Sequence, residues 1–178
     1  MKTTAFLHGS KVLLRAPEAG DFKLLFQMRN DVALQLWLMA LPRPNSTKRV
    51  QAWLDGIAAD ERRILFIVAS RRGKRPLGYV QLNQIDSVHR FAEIGICLSD
   101  AGRGRGFGAE AMLLVEQYGR EALNLRKLVL RVRSDNTRAL ALYRTLAYRE
   151  IGVLKAHFCE GGRQYDVTLM EKFLLPEK

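Results

Sequence analysis

The sequence predicts one mixed α/β (α+β) domain, a mostly antiparallel sheet of about seven strands flanked by about four helices. Three observations carry this expectation. Short β-branched apolar runs alternate with stretches of helical period. A glycine-rich loop stands between one such run and an amphipathic helix. Near the end, Gly161-Gly162 separates two strand-like segments, a hairpin signal. The 178 residues suffice for one core without division, and the domain is placed at residues 10–173. Apolar and charged shares of 48% and 26% are those of an ordinary globular chain.

The elements follow in order. Val12-Leu13-Leu14-Arg15 reads as a first strand, closed by Pro17. Residues 18–30 carry Phe22, Leu25, Phe26 and Met28 at helical spacing. Pro42 and Pro44 break the chain, and Asn45-Ser46 can cap a second helix with Val50, Trp53, Leu54 and Ile57 on one face. The continuous apolar run Ile64 to Ala69 suits a buried strand, with Leu77 to Leu82 as its hairpin partner. Ala92 to Leu98 is a further strand. The loop at 102–108 leads into a helix presenting Ala111, Leu114, Val115, Tyr118 and Ala122. Lys127 to Arg133 is a strand, 135–147 a helix, and 150–160 with 163–173 the closing hairpin.

A net charge of +11 calls for an anionic partner. The basic residues are spread along the chain, and the dense cluster Arg71-Arg72-Gly73-Lys74-Arg75 reads as a solvated hairpin tip. A polyphosphorylated cofactor or a nucleotide-linked substrate suits that charge, and nucleic acid is not favoured. No apolar stretch reaches the ~20 residues needed to span a bilayer. The opening Met1 to Leu7 stops being apolar too soon for a signal peptide. Cys97 and Cys159 lack metal-ligand spacing and read as free thiols, so the expectation is a cytoplasmic protein with no metal and no membrane partner.

Arg103-Gly104-Arg105-Gly106-Phe107-Gly108 is the segment with chemistry in it. Glycines let a backbone turn tightly and leave amide groups uncovered. Unpaired N–H groups at a helix start, with the helix dipole, bind anions such as a pyrophosphate. A Walker loop would need Gly-Lys-Ser/Thr at its end, where Gly108-Ala109-Glu110 stands. A dinucleotide fingerprint would come near a first βαβ unit rather than after an antiparallel hairpin. Further on, Asn136, Ala139 and Tyr143 fall at i, i+3 and i+7 and share a helix face, which core packing alone would also explain for the last two.

Arg103-x-x-Gly106-x-Gly108 resembles the R/Q-x-x-G-x-G/A signature of the GNAT superfamily of N-acetyltransferases, with strand before and helix after. The resemblance covers roughly residues 10–173, is strongest over 89–171, and is similar to the ribosomal-protein acetyltransferase-like branch. It implies a single GNAT domain and acetyl-CoA as cosubstrate. It further implies a cofactor site built from Ile96, Cys97 and Leu98 along the strand, from Arg103, Gly104, Arg105, Gly106, Gly108 and Ala109 in the loop, and from Asn136, Ala139 and Tyr143 on the later helix. The family's usual Gly-Phe after that helix is replaced here by Ala147-Tyr148, a departure that touches packing.

Acetyl transfer needs a neutral amine, and a lysine-like amine of pKa ~10.4 is neutral only about one part in a thousand at neutral pH. Glu93 is the candidate base, its carboxyl raised by Ile94 and Ile96; the alternative is an ion pair with Arg90 or Arg131. Tyr143 is the candidate acid for the leaving thiolate, and a backbone N–H of Ile96–Leu98 the polariser of the carbonyl. For the acceptor, Arg29, Asn30 and Trp37 stand in the first helical region, where the resemblance to nucleotide-sugar acetyltransferases favours a nucleotide-linked aminosugar. A peptide N-terminus or another small amine is the alternative, and Trp37 and Trp53 could simply pack helices. A polyamine would want clustered carboxylates there, where Asp31 and Asp55 are sparse. A non-catalytic RNA-binding module would explain the charge but not Asn136, Ala139 and Tyr143. The reading leaves a homodimer open.

Overall fold

The computed structural model describes residues 5–175; Met1 to Thr4 of the opening segment lie outside them. Among the described residues, eight strands form one sheet in the order β1-β2-β3-β4-β5-β6-β8-β7. They are β1 (Leu7–His8), β2 (Val12–Arg15), β3 (Ile64–Ser70), β4 (Pro76–Asp86), β5 (Phe91–Leu98), β6 (Lys127–Arg133), β7 (Arg149–Glu160) and β8 (Arg163–Phe173). Every neighbouring pair is antiparallel except β5 and β6. Five α-helices among the same described residues accompany the sheet: α1 (Phe22–Asn30), α2 (Val32–Trp37), α3 (Thr47–Ala58), α4 (Phe107–Glu121) and α5 (Thr137–Thr145).

Two of these elements exceed the expected count. β1 has two residues, too few to show alternation. α2 has six, and is set by its cap, since the Asp31 carboxylate accepts from the Leu34 N–H at 2.9 Å. The first predicted helix starts later than read, at Phe22, after a single 3-10 turn over Ala19–Asp21. Ser46 caps α3 by accepting from the Arg49 N–H, while the Asn45 amide donates to the carbonyls of Arg29 and Arg43.

The two faces of the sheet hold separate apolar layers. On one, Ile94, Ile96 and Leu98 of β5 pack with Ala111, Met112 and Val115 of α4. On the other, Tyr79 and Cys97 join Leu25, Met28, Leu34 and Ile57 beneath α1–α3. Strand alternation therefore gives β5 one apolar face and one bearing Glu93, Gly95 and Cys97. Arg15, at the end of β2, and Asp21, in the turn before α1, are 5% and 1% exposed and exchange two bonds of 2.5 and 2.7 Å. That pair fixes where α1 begins.

Glu110, in the first turn of α4, accepts from the Ser10 hydroxyl at 2.5 Å and from the N–H groups of Ser10, Lys11 and Val12 at 2.7 Å each. Desolvation is the largest single influence on this carboxyl and opposes ionisation, but the four donors together outweigh it and hold the carboxyl below the ordinary carboxylate range. A depressed folded-state value means the stabilisation is present above the unfolded value, pH ~4.3, and fades as pH falls through the folded one. Glu110→Gln should therefore cost about 1–2 kcal/mol at neutral pH and nearly nothing in acid. Urea unfolding of both proteins across pH 3–7 would expose a pH-independent difference, which would contradict this account.

Candidate active site

β5 and β6 are paired only over Phe91↔Lys127, Ala92↔Leu128 and Glu93↔Val129 among the described residues. Beyond Glu93 the strands part, and a cleft of about 930 Å³ opens between them. On one side lie Ile94–Leu98, whose backbone groups on this edge have lost their strand partner. On the other lie Val132, the stretch from Asp135 to Ala139, Leu142 and Tyr143.

The glycine loop closes one end. Gly104 and Gly106 both take φ of 77°, a left-handed value that glycine adopts without strain, and Gly106 is the N-cap of α4. A Cβ built on Gly106 would stand 3.0 Å from the Lys11 amine, and one on Gly104 would be 3.9 Å from the Arg138 guanidinium. Two cations thus face uncovered amide groups at a helix start, a cradle that fits a pyrophosphate. Arg103 lines the cleft but is tied down, donating to the Leu98 carbonyl at 2.9 Å and to Asp100 at 2.7 Å. It holds the end of β5 against the loop.

Asn136 is the N-cap of α5, its side-chain oxygen accepting from the Ala139 N–H at 3.1 Å, which leaves its NH₂ for the cleft. Tyr143 is buried, yet its hydroxyl makes no hydrogen bond among the described residues. Burial, and then the neighbouring Cys97, push that phenol up to about 12, so it stays a neutral donor. Cys97 is itself pushed up to about 12 by burial, against a hydrogen bond with Tyr79 that acts the other way. Ala147, φ 63°, takes the left-handed position after α5 where glycine would be unstrained, and Tyr148 packs its ring 5.9 Å from that of Tyr143.

Of the residues singled out in the sequence, Glu93, Ile96, Cys97, Leu98, Arg103, Gly104, Gly106, Gly108, Ala109, Asn136, Ala139, Tyr143, Arg29 and Trp37 line this cleft. Arg105 and Asn30 do not. Arg105 is exposed. The Asn30 side chain is a brace, donating to the Phe26 and Asn45 carbonyls at 3.0 and 3.1 Å and accepting from the Asn45 N–H at 2.8 Å. Glu93 meets Arg131 at 3.3 Å, so its carboxylate faces a guanidinium rather than the apolar surroundings expected from Ile94 and Ile96.

Sequence reasoning missed Lys11, Arg138 and Arg133. Arg133 is almost fully buried; its guanidinium lies over the rings of Tyr165 at 3.9 Å, Trp37 at 4.4 Å and Phe158 at 5.5 Å. It also pairs with Asp135 at 2.8 Å and with Glu160. Helix α2, strand β6 and the last hairpin are thereby joined at one wall of the cleft. Trp53 packs edge-on against Tyr79 at 5.9 Å, with Arg29 above it at 5.0 Å. Both cysteines are free, Cys97 buried and Cys159 exposed. Among the described residues there is no cluster that could hold a metal ion, and no helix long and apolar enough to cross a membrane.

Comparison with known proteins adds a family. A family model described as an acetyltransferase (GNAT) domain matches residues 11–149. The spermidine N(1)-acetyltransferase of Vibrio cholerae is 30% identical over 162 residues, covering 90% of this chain and 92% of that protein. The spermidine N(1)-acetyltransferase of Escherichia coli is 30% identical over 159 residues, 89% of this chain and 84% of its own. Among solved structures, spermidine N-acetyltransferase from Vibrio cholerae in complex with CoA and spermine superposes with a TM-score of 0.86. It is 28% identical, covering 93% of this chain and 97% of that one.

Proposed function

The chain belongs to the GNAT acetyltransferase family and is an acetyl-CoA-dependent N-acetyltransferase; we propose that its acceptor is the primary amine of a small molecule. The observation that carries this reading is the cleft itself. It runs through the parted sheet, with the glycine loop and α5 lining one end and Arg29, Trp37 and Glu93 the other. Two small ligands entering from opposite faces would meet at Cys97. The relatives with spermidine in their names support a small amine. The nucleotide-linked sugar amine expected from the first helices finds no counterpart among them.

When bound, acetyl-CoA supplies an acetyl thioester. The chain's part is to hold its pyrophosphate at the amides of the Gly104–Gly108 loop beside Lys11 and Arg138, and its amide-bearing arm along the free edge of β5. Asn136 and Ala139 line the opposite wall. An N–H of Ile96–Leu98 polarises the carbonyl. Four residues of strand, about 13 Å, separate Glu93 from Cys97, more than one bridging water spans, so a proton from an amine at Cys97 reaches Glu93 only along a chain of waters. A phenol as weakly acidic as that of Tyr143 does not give up its proton fully to a thiolate of pKa ~8.5; it stabilises the departing sulfur by donating a hydrogen bond.

Tyr143→Phe should lower kcat about 10²-fold while acetyl-CoA still binds. Unchanged turnover would reduce Tyr143 to packing against Tyr148. The acceptor is tested by thiol release from acetyl-CoA over a panel of alkylamines, polyamines, aminosugars, nucleotide-linked aminosugars and peptides. Saturable turnover of a peptide N-terminus, with none of the small amines, would overturn the acceptor reading and leave the family untouched.

A further inference from the structure

Next to the cleft, on the face of the sheet that carries α1–α3, lies a second cavity of about 600 Å³. The two share four lining residues, Gln81, Asn83, Glu93 and Arg131, so they form one continuous groove. A polar row crosses the sheet there, one residue from each segment. Arg63, just before β3, donates to Asn83 of β4 at 3.2 Å; Asn83 stands opposite Glu93 of β5; and Glu93 pairs with Arg131 of β6. Arg62 lies beside this row, its guanidinium without an ion-pair partner among the described residues, and Arg63 has only the Asn83 amide. The two carboxylates of the cavity are already engaged, Asp60 accepting from the Arg62 N–H at 2.9 Å and Glu93 facing Arg131.

The local backbone is shaped for this opening. The β4–β5 register slips between Asn83 and Asp86, and Gln84 takes φ of 51°, a left-handed conformation unusual for a residue with a side chain. Such bulges end pairing and re-aim side chains beside binding sites. Between this row and Cys97, Gly95 presents no side chain, and the Gln81 amide of β4 lies beside it, 3.6 Å from where a Cβ would stand.

We propose that this cavity is a tail subsite of the acetyltransferase, and that the acceptor is a primary amine carrying an anionic group, a carboxylate or a phosphate, about 10–13 Å from the amine. The proposal deepens the acceptor reading above and rests on its placing the amine near Cys97. The amine end lies at Cys97, the chain passes over Gly95, and the anion meets Arg62 and Arg63. A polyamine of the same length would bring an ammonium to two unpaired guanidiniums, the wrong sign for the site. The positive balance of the cavity therefore separates this chain's acceptor from the polycations named for its relatives.

The test uses amines of matched length on the whole protein in complex with CoA: ω-aminooctanoate, its neutral amide, an aminohexyl phosphate and spermidine. Affinities are read by calorimetry. The carboxylate and the phosphate are expected to bind about tenfold more tightly than the neutral amide, and spermidine more weakly than all three. The arm that prevails identifies the anion. In Arg62→Gln/Arg63→Gln the preference for the carboxylate over its amide should collapse to near unity, with CoA affinity reporting that the variant is folded. Spermidine binding as tightly as ω-aminooctanoate, or a preference that survives the double substitution, would overturn the proposal. Because the readout is binding, a lack of turnover with every amine would count against the transfer reading and not against the subsite.

Discussion

Gly106→Glu should abolish acetyl-CoA binding in a protein that remains folded, with Kd rising at least about 10³-fold. Three effects add at this residue. The backbone is left-handed, which costs a non-glycine residue about 1 kcal/mol. The new side chain enters the space between the loop amides and the Lys11 amine, which a Cβ alone would already approach to 3.0 Å. Its carboxylate would then satisfy Lys11 internally and repel a pyrophosphate from the N-terminus of α4. At a hundredfold excess over Kd a ligand that binds only the native state adds about 2.7 kcal/mol, or roughly 5–10 °C in Tm for a domain of this size. The wild type should show that shift with acetyl-CoA, and the variant none. Gly106→Ala, which carries the backbone cost without the charge, should keep most of it. A full shift in folded Gly106→Glu would remove the loop from the cofactor site.

Asp21→Ala should destabilise the domain by about 3–5 kcal/mol, a large part of the 5–15 kcal/mol that holds a typical domain. The cost comes from what remains. Arg15 would stay buried with its paired carboxylate gone and only the weaker attraction of Glu18 left, and the hydrogen bonds to Asp21 are the first cause of its guanidinium being held even more firmly protonated than usual. Asp21 also accepts from the Glu18 N–H at 2.8 Å, so the turn that starts α1 loosens as well. Denaturant midpoints would measure the loss. Pairing Arg15→Met with Asp21→Leu should recover much of it, because two well-packed apolar side chains avoid the uncompensated charge. Equal instability of single and double variants would show that the ion pair is not the source.

The loop, the strand before it and the helix after it were legible because their chemistry is local. Glycine spacing, amphipathic period and the i, i+3, i+7 face are all properties of neighbouring residues, and so the Gly106 cradle and Tyr143 could be located in advance. Lys11 could not, since the Ser10–Val12 segment reaches Glu110 only through the fold. The row Arg63, Asn83, Glu93 and Arg131 escaped for the same reason: its members come from four separate segments and meet only by register. The setting of Glu93 differs from the apolar one expected, because Ile94 and Ile96 pack on the other face of the sheet while Arg131 comes from the next strand. Asn30 looks like a recognition residue by type alone, and its bonds to Asn45 depend on a loop that bends back fifteen residues later. α2 is too brief for any periodicity to register.

The narrow pairing between β5 and β6 bears on how the chain folds and opens. Strands β1 to β5 lie in chain order, each bonded to its predecessor, and β6 to β8 form a second group joined to the first by three residue pairs. In the language of foldons these are two cooperative units with a weak seam, and local opening should begin there at a free energy well below that of global unfolding. Those amide protons of Ile94–Leu98 that face the cleft would then exchange faster than those of β3 or β4, even though Ile94 and Cys97 are buried. A ligand lying across the seam links the two units, so its affinity includes the cost of stopping that opening.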